Sequence, residues 1–271
     1  CRVEYSAGAP PAVIPAHVDR LHVSADDAFR SPAFEKLEKL LDALKTKYGY
    51  LCGDVNFSGI LNHALDVRGQ QFLTDLYDTP EESRQFLQEI AEVTERFAQG
   101  IAAATGSTSI SVNRNVRNIP RPVFLHSECS HVMVSVRQYE TFLMPFDVQW
   151  SCKYRPFGIH YCGEDPHRYA AAFAALPHLD FLDVGWGGDV ATLRRYLPET
   201  FLNVRYSPVE IVRQSPETIR RTVRGLVEAS GNPWLTGVCA INMDEKVTDE
   251  QITAIFEEVD ALRHEYGDPL V

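Results

Sequence analysis

Apolar residues recur along the chain in two alternating patterns, one typical of amphipathic helices and one typical of buried strands. Residues Ala33 to Tyr48 place leucine and aromatic side chains three and four positions apart, which predicts a helix with one apolar face. Mostly apolar runs of about four to eight residues predict strands. The strand candidates are Tyr50 to Asn56, Thr108 to Asn113, Pro156 to Tyr161, Phe181 to Val184, Phe201 to Tyr206 and Trp234 to Ile241.

Helical patterns return between these strands, and some of the helices begin at capping residues. Thr79 can cap a helix whose first position is Pro80, where proline is favoured. Ser135 can cap another helix, whose aromatic residues Tyr139, Phe142 and Phe146 and whose Leu143 are predicted to point inward. The remaining helices are predicted at about Gly69 to Tyr77, from Pro80 to Ala104, after Asp165-Pro166, at Asp189 to Arg195 and at Pro216 to Ala229.

The repeated order of strand, loop and helix is the sequence form of a parallel α/β protein. No G-x-G-x-x-G motif follows a strand, which favours a (β/α)8 barrel over a doubly wound dinucleotide-binding sheet. No linker or internal repeat divides the 271 residues, a length that one large domain can use. We therefore predict a single (β/α)8 barrel domain over residues 1–271.

Composition and charge narrow the function classes. The hydrophobic share of 45% is that of an ordinary folded protein. The net charge of -11 disfavours nucleic acid and anionic lipid as partners, and no apolar run approaches the roughly 20 residues of a membrane span. Six cysteines are too few for a disulfide scaffold, so we expect a reducing, cytoplasmic location. The acidic run Glu257-Glu258 is interpreted as a solvated helix face.

The first residues show no signal-peptide pattern, and the numbering begins at Cys1 rather than at a methionine. We expect either a processed start or part of a longer chain.

Polar and ligand-type residues collect where the predicted strands end. In a (β/α)8 barrel the C-terminal ends of the strands meet at one mouth, where the chemistry takes place. The candidates there are Asp54, Asn56, His126, Glu128, His160, Cys162, Asp183, Trp186, Arg205, Tyr206, Cys239, Asn242 and Asp244.

Three of these residues form a candidate metal site. His160 and Cys162 are two positions apart in a predicted strand, so their side chains share a face, and Cys239 ends another strand. One imidazole and two thiolates suit zinc, and three protein ligands leave a fourth, catalytic position open. The alternative from spacing alone is that all three residues are ordinary core side chains. Cys52, Cys129 and Cys152 are interpreted as core or loop thiols.

The other candidates have a functional and a structural interpretation each. Glu128 and Asp183 are the predicted catalytic residues. Glu128, with His126, would orient a substrate or act as an exchangeable ligand, or else lie in a surface loop. Asp183 would accept a hydrogen bond from His160 and fix its tautomer, or else cap a helix. The predicted substrate-binding residues, which could equally be structural, are His126, Trp186, Arg205, Tyr206 and Asn242.

Several segments resemble the uroporphyrinogen decarboxylase superfamily, especially its zinc-dependent branch of corrinoid-protein methyltransferases. The resemblance covers about residues 50 to 260, and its most specific part is His160-Tyr161-Cys162 followed 77 positions later by Cys239. The matching segments are Asp66 to Gly69, Phe72 to Leu76, Thr79 to Glu81, Ser135 to Tyr139, Gly158 to Gly163, Gly237 to Cys239 and Thr248 to Glu250. The resemblance implies that His160, Cys162 and Cys239 bind Zn²⁺.

Two departures from the family qualify this resemblance. No Arg-X-X-X-Arg motif precedes residue 50, although the decarboxylases use one to bind substrate carboxylates. Its absence argues against a true uroporphyrinogen decarboxylase and suggests that the first barrel strand is missing or diverged. Near residue 240 the text Gly237-Val238-Cys239-Ala240-Ile241-Asn242 replaces the family's usual turn while keeping the thiol.

The resemblance implies a zinc-dependent methyltransferase that moves a methyl group between a corrinoid (cobalamin), carried by a partner protein, and a small donor or acceptor. A metal-free decarboxylase is one alternative, for which the sequence offers only scattered arginines. A barrel that uses zinc structurally or only docks a corrinoid protein is the other.

Overall fold

The computed structural model describes residues 1–7, 11–51, 58–106, 119 and 121–267. The predicted strand Thr108 to Asn113 and the candidates Asp54 and Asn56 lie outside the described residues, as does most of the predicted strand at residues 50–56. The helices are α1 Ala25–Phe29, α2 Pro32–Tyr48, α3 Ile60–Arg68, α4 Gln71–Asp78, α5 Pro80–Thr105, α6 Val136–Gln138, α7 Met144–Lys153, α8 Ala170–Ala174, α9 Val190–Tyr196, α10 Pro208–Arg213, α11 Pro216–Ala229 and α12 Asp249–Tyr266.

The strands are β1 Arg2–Glu4, β2 Ala12–Ile14, β3 Phe124–Ser127, β4 Phe157–Tyr161, β5 Phe181–Val184, β6 Phe201–Tyr206 and β7 Thr236–Ala240. Strands β1 and β2 pair in an antiparallel hairpin, and β4 to β7 form a parallel sheet, as in an α/β protein. Parallel strands and α/β class are confirmed. A (β/α)8 barrel needs eight parallel strands, and the described residues contain fewer. The closed barrel therefore stays a prediction.

The chain divides into two compact units, residues 1–114 with 122–149 and residues 115–121 with 150–271. In the first unit, α3, α4 and α5 bury Ile60, Leu61, Phe72 and Phe86, and the rings of the two phenylalanines lie 5.6 Å apart. Pro80 begins α5, as predicted, but the Thr79 side chain makes no capping hydrogen bond and instead donates to the Asp75 carbonyl.

Ser135 caps α6 with a complete capping box. Its hydroxyl accepts a hydrogen bond from the Gln138 backbone N–H, and the Gln138 side chain accepts one from the Ser135 backbone N–H. The helix continues through a π-helical turn, Tyr139–Leu143, into α7. The four residues predicted to point inward, Tyr139, Phe142, Leu143 and Phe146, are all buried.

In the second unit β4, β5, β6 and β7 pair side by side in chain order. Helices α11 and α12 cover one face of β6 and β7, and the core between them contains Tyr206, Ile211, Ile219 and Val223. The predicted bounds of β5, β6 and α11 agree with the structure, because buried apolar runs and a serine followed by proline mark them clearly.

The glutamate pair Glu257-Glu258 is only half solvated. Glu257 is exposed and accepts from Arg220, but Glu258 is buried and accepts from Arg224 Nε at 2.7 Å. The interpretation of this run as a solvated face is therefore wrong for Glu258. None of the helices in the described part of the chain combines the length and the apolar character that crossing a bilayer requires.

Candidate functional site

One face of the second unit's sheet carries the predicted metal ligands together with Asp183 and Arg205. The strand register pairs His160 with Asp183, Asp183 with Asn203, and Arg205 with Cys239. Because side chains alternate between the two faces of a strand, these residues all project from the same face. That face is opposite to the one that α11 and α12 cover.

His160 is held in one orientation by its neighbours. It is 5% exposed, and its Nδ1 hydrogen-bonds Oδ2 of the fully buried Asp183. Its Nε2 lies 2.7 Å from Cys162 Sγ, and Cys162 itself is exposed. A carboxylate on Nδ1 fixes the imidazole tautomer and leaves Nε2 as a ligand atom, which is how metal-binding histidines are usually supported. The predicted role of Asp183 as an acceptor for His160 agrees with this geometry.

Asp183 is itself fixed by two donors from β6. Asn203 Nδ2 donates to Asp183 Oδ1 at 2.8 Å, and Arg205 Nη2 donates to Asp183 Oδ2 at 2.9 Å. The guanidinium also approaches the metal-ligand candidates, since Arg205 Nη1 lies 4.0 Å from Cys162 Sγ. Although burial opposes it, the carboxylate of Asp183 raises the pKa of Arg205, so the guanidinium stays charged.

Cys239 faces this cluster from β7 and is half-buried. Burial raises the pKa of its thiol and Asp183 adds to the rise, whereas Arg205 and a hydrogen bond with Asn203 act in the opposite direction. Cys239 does not join His160 and Cys162 in a group of ligand atoms that all lie within 4.8 Å of one another. Its place as a third ligand stays a prediction that the sheet register makes possible.

Gly185 determines how the chain leaves β4. A Cβ atom at this position would lie 2.4 Å from the Cys162 carbonyl oxygen and 2.5 Å from that of Gly163. Glycine is therefore required where the segment after β4 crosses the end of β5. The backbone of Cys162, directly after the end of β4, therefore packs against Gly185 at the end of β5.

Two predicted substrate-binding residues belong to the core instead. Tyr206 lies on the helix-covered face, is fully buried and donates its hydroxyl proton to Gln214. Trp186 stacks on the Tyr206 ring at 5.2 Å and packs against the same core. The alternation of side chains along β6 points Tyr206 away from Arg205, into the core under the helices.

Two more candidates, Asn242 and Asp244, lie in the loop after β7, and the local conformation of that loop accounts for both residue types. Asn242 is exposed and has a positive φ of 55°, a conformation that asparagine tolerates better than most residues. Asp244 accepts a hydrogen bond from the Lys246 backbone at 2.9 Å. Both are typical turn residues.

The remaining candidates, His126 and Glu128, form a buried ionic cluster in the first unit. His126 Nδ1 lies 2.7 Å from Asp147 Oδ1, and its Nε2 lies 3.0 Å from Glu128 Oε1. Glu128 Oε1 also accepts from the Leu61 backbone at 2.7 Å, so this carboxylate caps the N-terminus of α3, where Gly59 supplies no side chain. Tyr139 donates to the second oxygen of Asp147 at 2.7 Å.

All three ionisable side chains of this cluster are completely buried. Despite burial, Asp147 and Glu128 raise the pKa of His126 to about 10. His126 in turn lowers the pKa of Glu128, against the effect of burial. A surface-loop position for Glu128 is therefore wrong. Without exposure, direct substrate contact by His126 has no support in this geometry, and the cluster instead attaches α3 to β3.

The close approach of α3 to the end of β3 gives a testable prediction. A Cβ atom on Gly59 would lie 2.4 Å from the Ser127 carbonyl and 2.5 Å from Glu128 Oε1. We expect Gly59→Ala to lower the free energy of unfolding by about 1–3 kcal/mol, because backbone must shift. Gly100→Ala is the matched control, since Gly100 lies within α5 with open space around its Cβ, and it should stabilise by about 0.5–1 kcal/mol. Denaturant unfolding measures both, and equal effects would contradict the prediction.

Sequence reasoning missed Asn203 and Asp147. Asn203 lies in the middle of an apolar strand, and its polarity at a buried position was the available signal. Strand β3 was also missed, because only three apolar residues, Val123 to Leu125, precede polar His126.

Comparisons with known proteins support the fold. A solved structure of a methyltransferase from Methanosarcina mazei aligns with a TM-score of 0.70 and 14% identity, over 97% of this chain and 75% of that chain. At this identity the similarity establishes a shared fold. No family model matches the chain, and no curated protein matches it.

Proposed function

We propose that this protein is a zinc-dependent methyltransferase that moves a methyl group between a corrinoid on a partner protein and a small donor or acceptor. The observation that carries the proposal is the pair His160 Nε2 and Cys162 Sγ at 2.7 Å, with Asp183 on the other imidazole nitrogen. The shared fold with a methyltransferase is consistent with it. Zinc as the metal and a corrinoid as the methyl carrier are what the sequence resemblance implies.

The donor set fits zinc. His160 and Cys162 offer adjacent nitrogen and sulfur atoms, and Cys239 offers a second sulfur from the same sheet face. Zinc binds imidazole nitrogen and thiolate sulfur, and a three-ligand site leaves one position for a reactant. When bound, zinc would favour the deprotonated form of a thiol acceptor or act as a Lewis acid on a methylated donor.

The protein's own residues prepare this site. Asp183 keeps the proton of His160 on Nδ1, so that Nε2 presents a lone pair on the side of Cys162. Arg205, which is ion-paired with Asp183, places a guanidinium beside Cys162, where its N–H groups can donate hydrogen bonds to a small molecule bound at this face. Glu128, predicted as a catalytic residue, has a structural role instead in this proposal.

The proposal is tested by metal content and by methyl transfer. We expect protein purified without chelators to contain one zinc ion per chain and to demethylate methylcobalamin in the presence of a small thiol, if the thiol is the acceptor. For the opposite direction, Co(I) cobalamin with methylated amines, ethers and thioethers is the corresponding assay. Absence of zinc would overturn the proposal. Zinc without methyl transfer in either direction would favour a structural metal site.

A further inference from the structure

Asn203 connects two parts of the candidate metal site that lie on different strands. It is 5% exposed, it sits in β6 between Asp183 on β5 and Gly237 on β7, and its Nδ2 donates to Asp183 Oδ1 at 2.8 Å. Asp183 then contacts His160 on β4. Cys239 projects from the same sheet face, two residues beyond Gly237, and although burial raises the pKa of its thiol, hydrogen bonding by Asn203 lowers it. A single amide therefore contacts the support of one ligand and the side chain of another.

The surroundings of Asn203 leave this amide little freedom. A Cβ on Gly237 would lie 3.3 Å from Asn203 Oδ1 and 3.1 Å from the Phe201 ring, so the amide packs closely against this glycine. Arg205 shares Asp183 with Asn203, but it brings a charge, whereas Asn203 brings only hydrogen bonds. Asn203 is thus suited to setting geometry without changing the charge of the site.

We propose that Asn203 is a positioning residue that orients both His160, through Asp183, and Cys239 toward a common metal ion. This inference rests on the proposed zinc function and adds a residue outside the predicted ligand set. Partners of this kind typically change metal affinity by about 10–100-fold. The hydrogen bond that orients His160 can also be measured in protein from which metal has been removed. The tautomer of His160 therefore provides a readout that is independent of zinc.

The test compares Asn203→Leu with the control Thr200→Val. The Leu variant removes the amide without adding charge. Thr200, directly before β6, is also buried. Its hydroxyl donates to the Leu179 carbonyl at 2.7 Å and does not contact the proposed metal ligands. We expect Asn203→Leu to weaken zinc binding about 10–100-fold in chelator competition, while Thr200→Val changes it less than about twofold.

The second measurement is the nitrogen NMR spectrum of His160 in the metal-free proteins. We expect the parent and Thr200→Val to show one tautomer with the proton on Nδ1, and Asn203→Leu to show a mixture. Unchanged zinc affinity together with an unchanged tautomer would overturn the role of Asn203. A parent protein that binds no zinc would instead refute the proposed function, and the His160 spectra would still decide whether Asn203 orients the imidazole.

Discussion

Replacing Cys162 by serine should abolish stoichiometric zinc binding and leave the fold intact. The thiolate is the soft, anionic ligand beside His160 Nε2, and a serine hydroxyl at neutral pH is neither soft nor anionic. The loss should exceed the roughly 10–100-fold typical of residues that only support a ligand. Because the Cys162 side chain is exposed, its replacement removes little packing, and the unfolding midpoint of the metal-free protein should hardly move.

Cys152→Ser is the matched control for this change. Cys152 is another exposed thiol of the second unit, on α7, and is not among the candidate ligands. Its zinc content, measured by plasma emission spectroscopy, should equal that of the parent. If Cys162→Ser also retains one zinc per chain, the His160–Cys162 pair is not the metal site.

Asp147→Asn should destabilise the protein by about 3–5 kcal/mol, the usual cost of leaving one charge of a buried pair without its partner. His126 lies in a site that excludes water, and it would lose one of the two carboxylates that balance its positive charge, keeping Glu128 as the other. Chemical unfolding measures the effect. Asp26→Asn is the control, because Asp26 makes an exposed ion pair with Arg96 and its loss should change stability little. A small effect at Asp147 would show that the buried charges are not essential.

The same cluster predicts how stability varies with pH. The folded-state pKa of His126 is raised to about 10 from an unfolded value near 6.5, so its contribution is complete below about pH 6.5 and is lost as the pH rises toward 10. The lowered pKa of Glu128 acts at the other end, and its contribution is lost as the pH falls below about 4.3. In Asp147→Asn the alkaline loss should be much smaller than in the parent.

The sequence predicted local structure best where one residue pattern leaves a single choice. Strand β5 is a run of mostly apolar residues that must be buried, and α11 begins at a serine followed by proline. It predicted burial poorly for charged groups. His126 and Glu258 are polar in sequence but buried in the structure, because partners distant in the chain, Asp147 and Arg224, compensate their charges. No local pattern contains those partners.

By itself, the sequence determined the order of strands β4 to β7 with most of the helices between them, the α/β class and the short spacing that puts His160 and Cys162 on one face, since these depend on neighbouring residues and on strand periodicity. Only the tertiary structure decided that Asp183, Asn203 and Arg205 support this pair, while Tyr206 faces the core and Glu128 caps α3. The reason is physical, because strand register sets which distant residues become neighbours, and a shift of one residue would send every side chain to the opposite face.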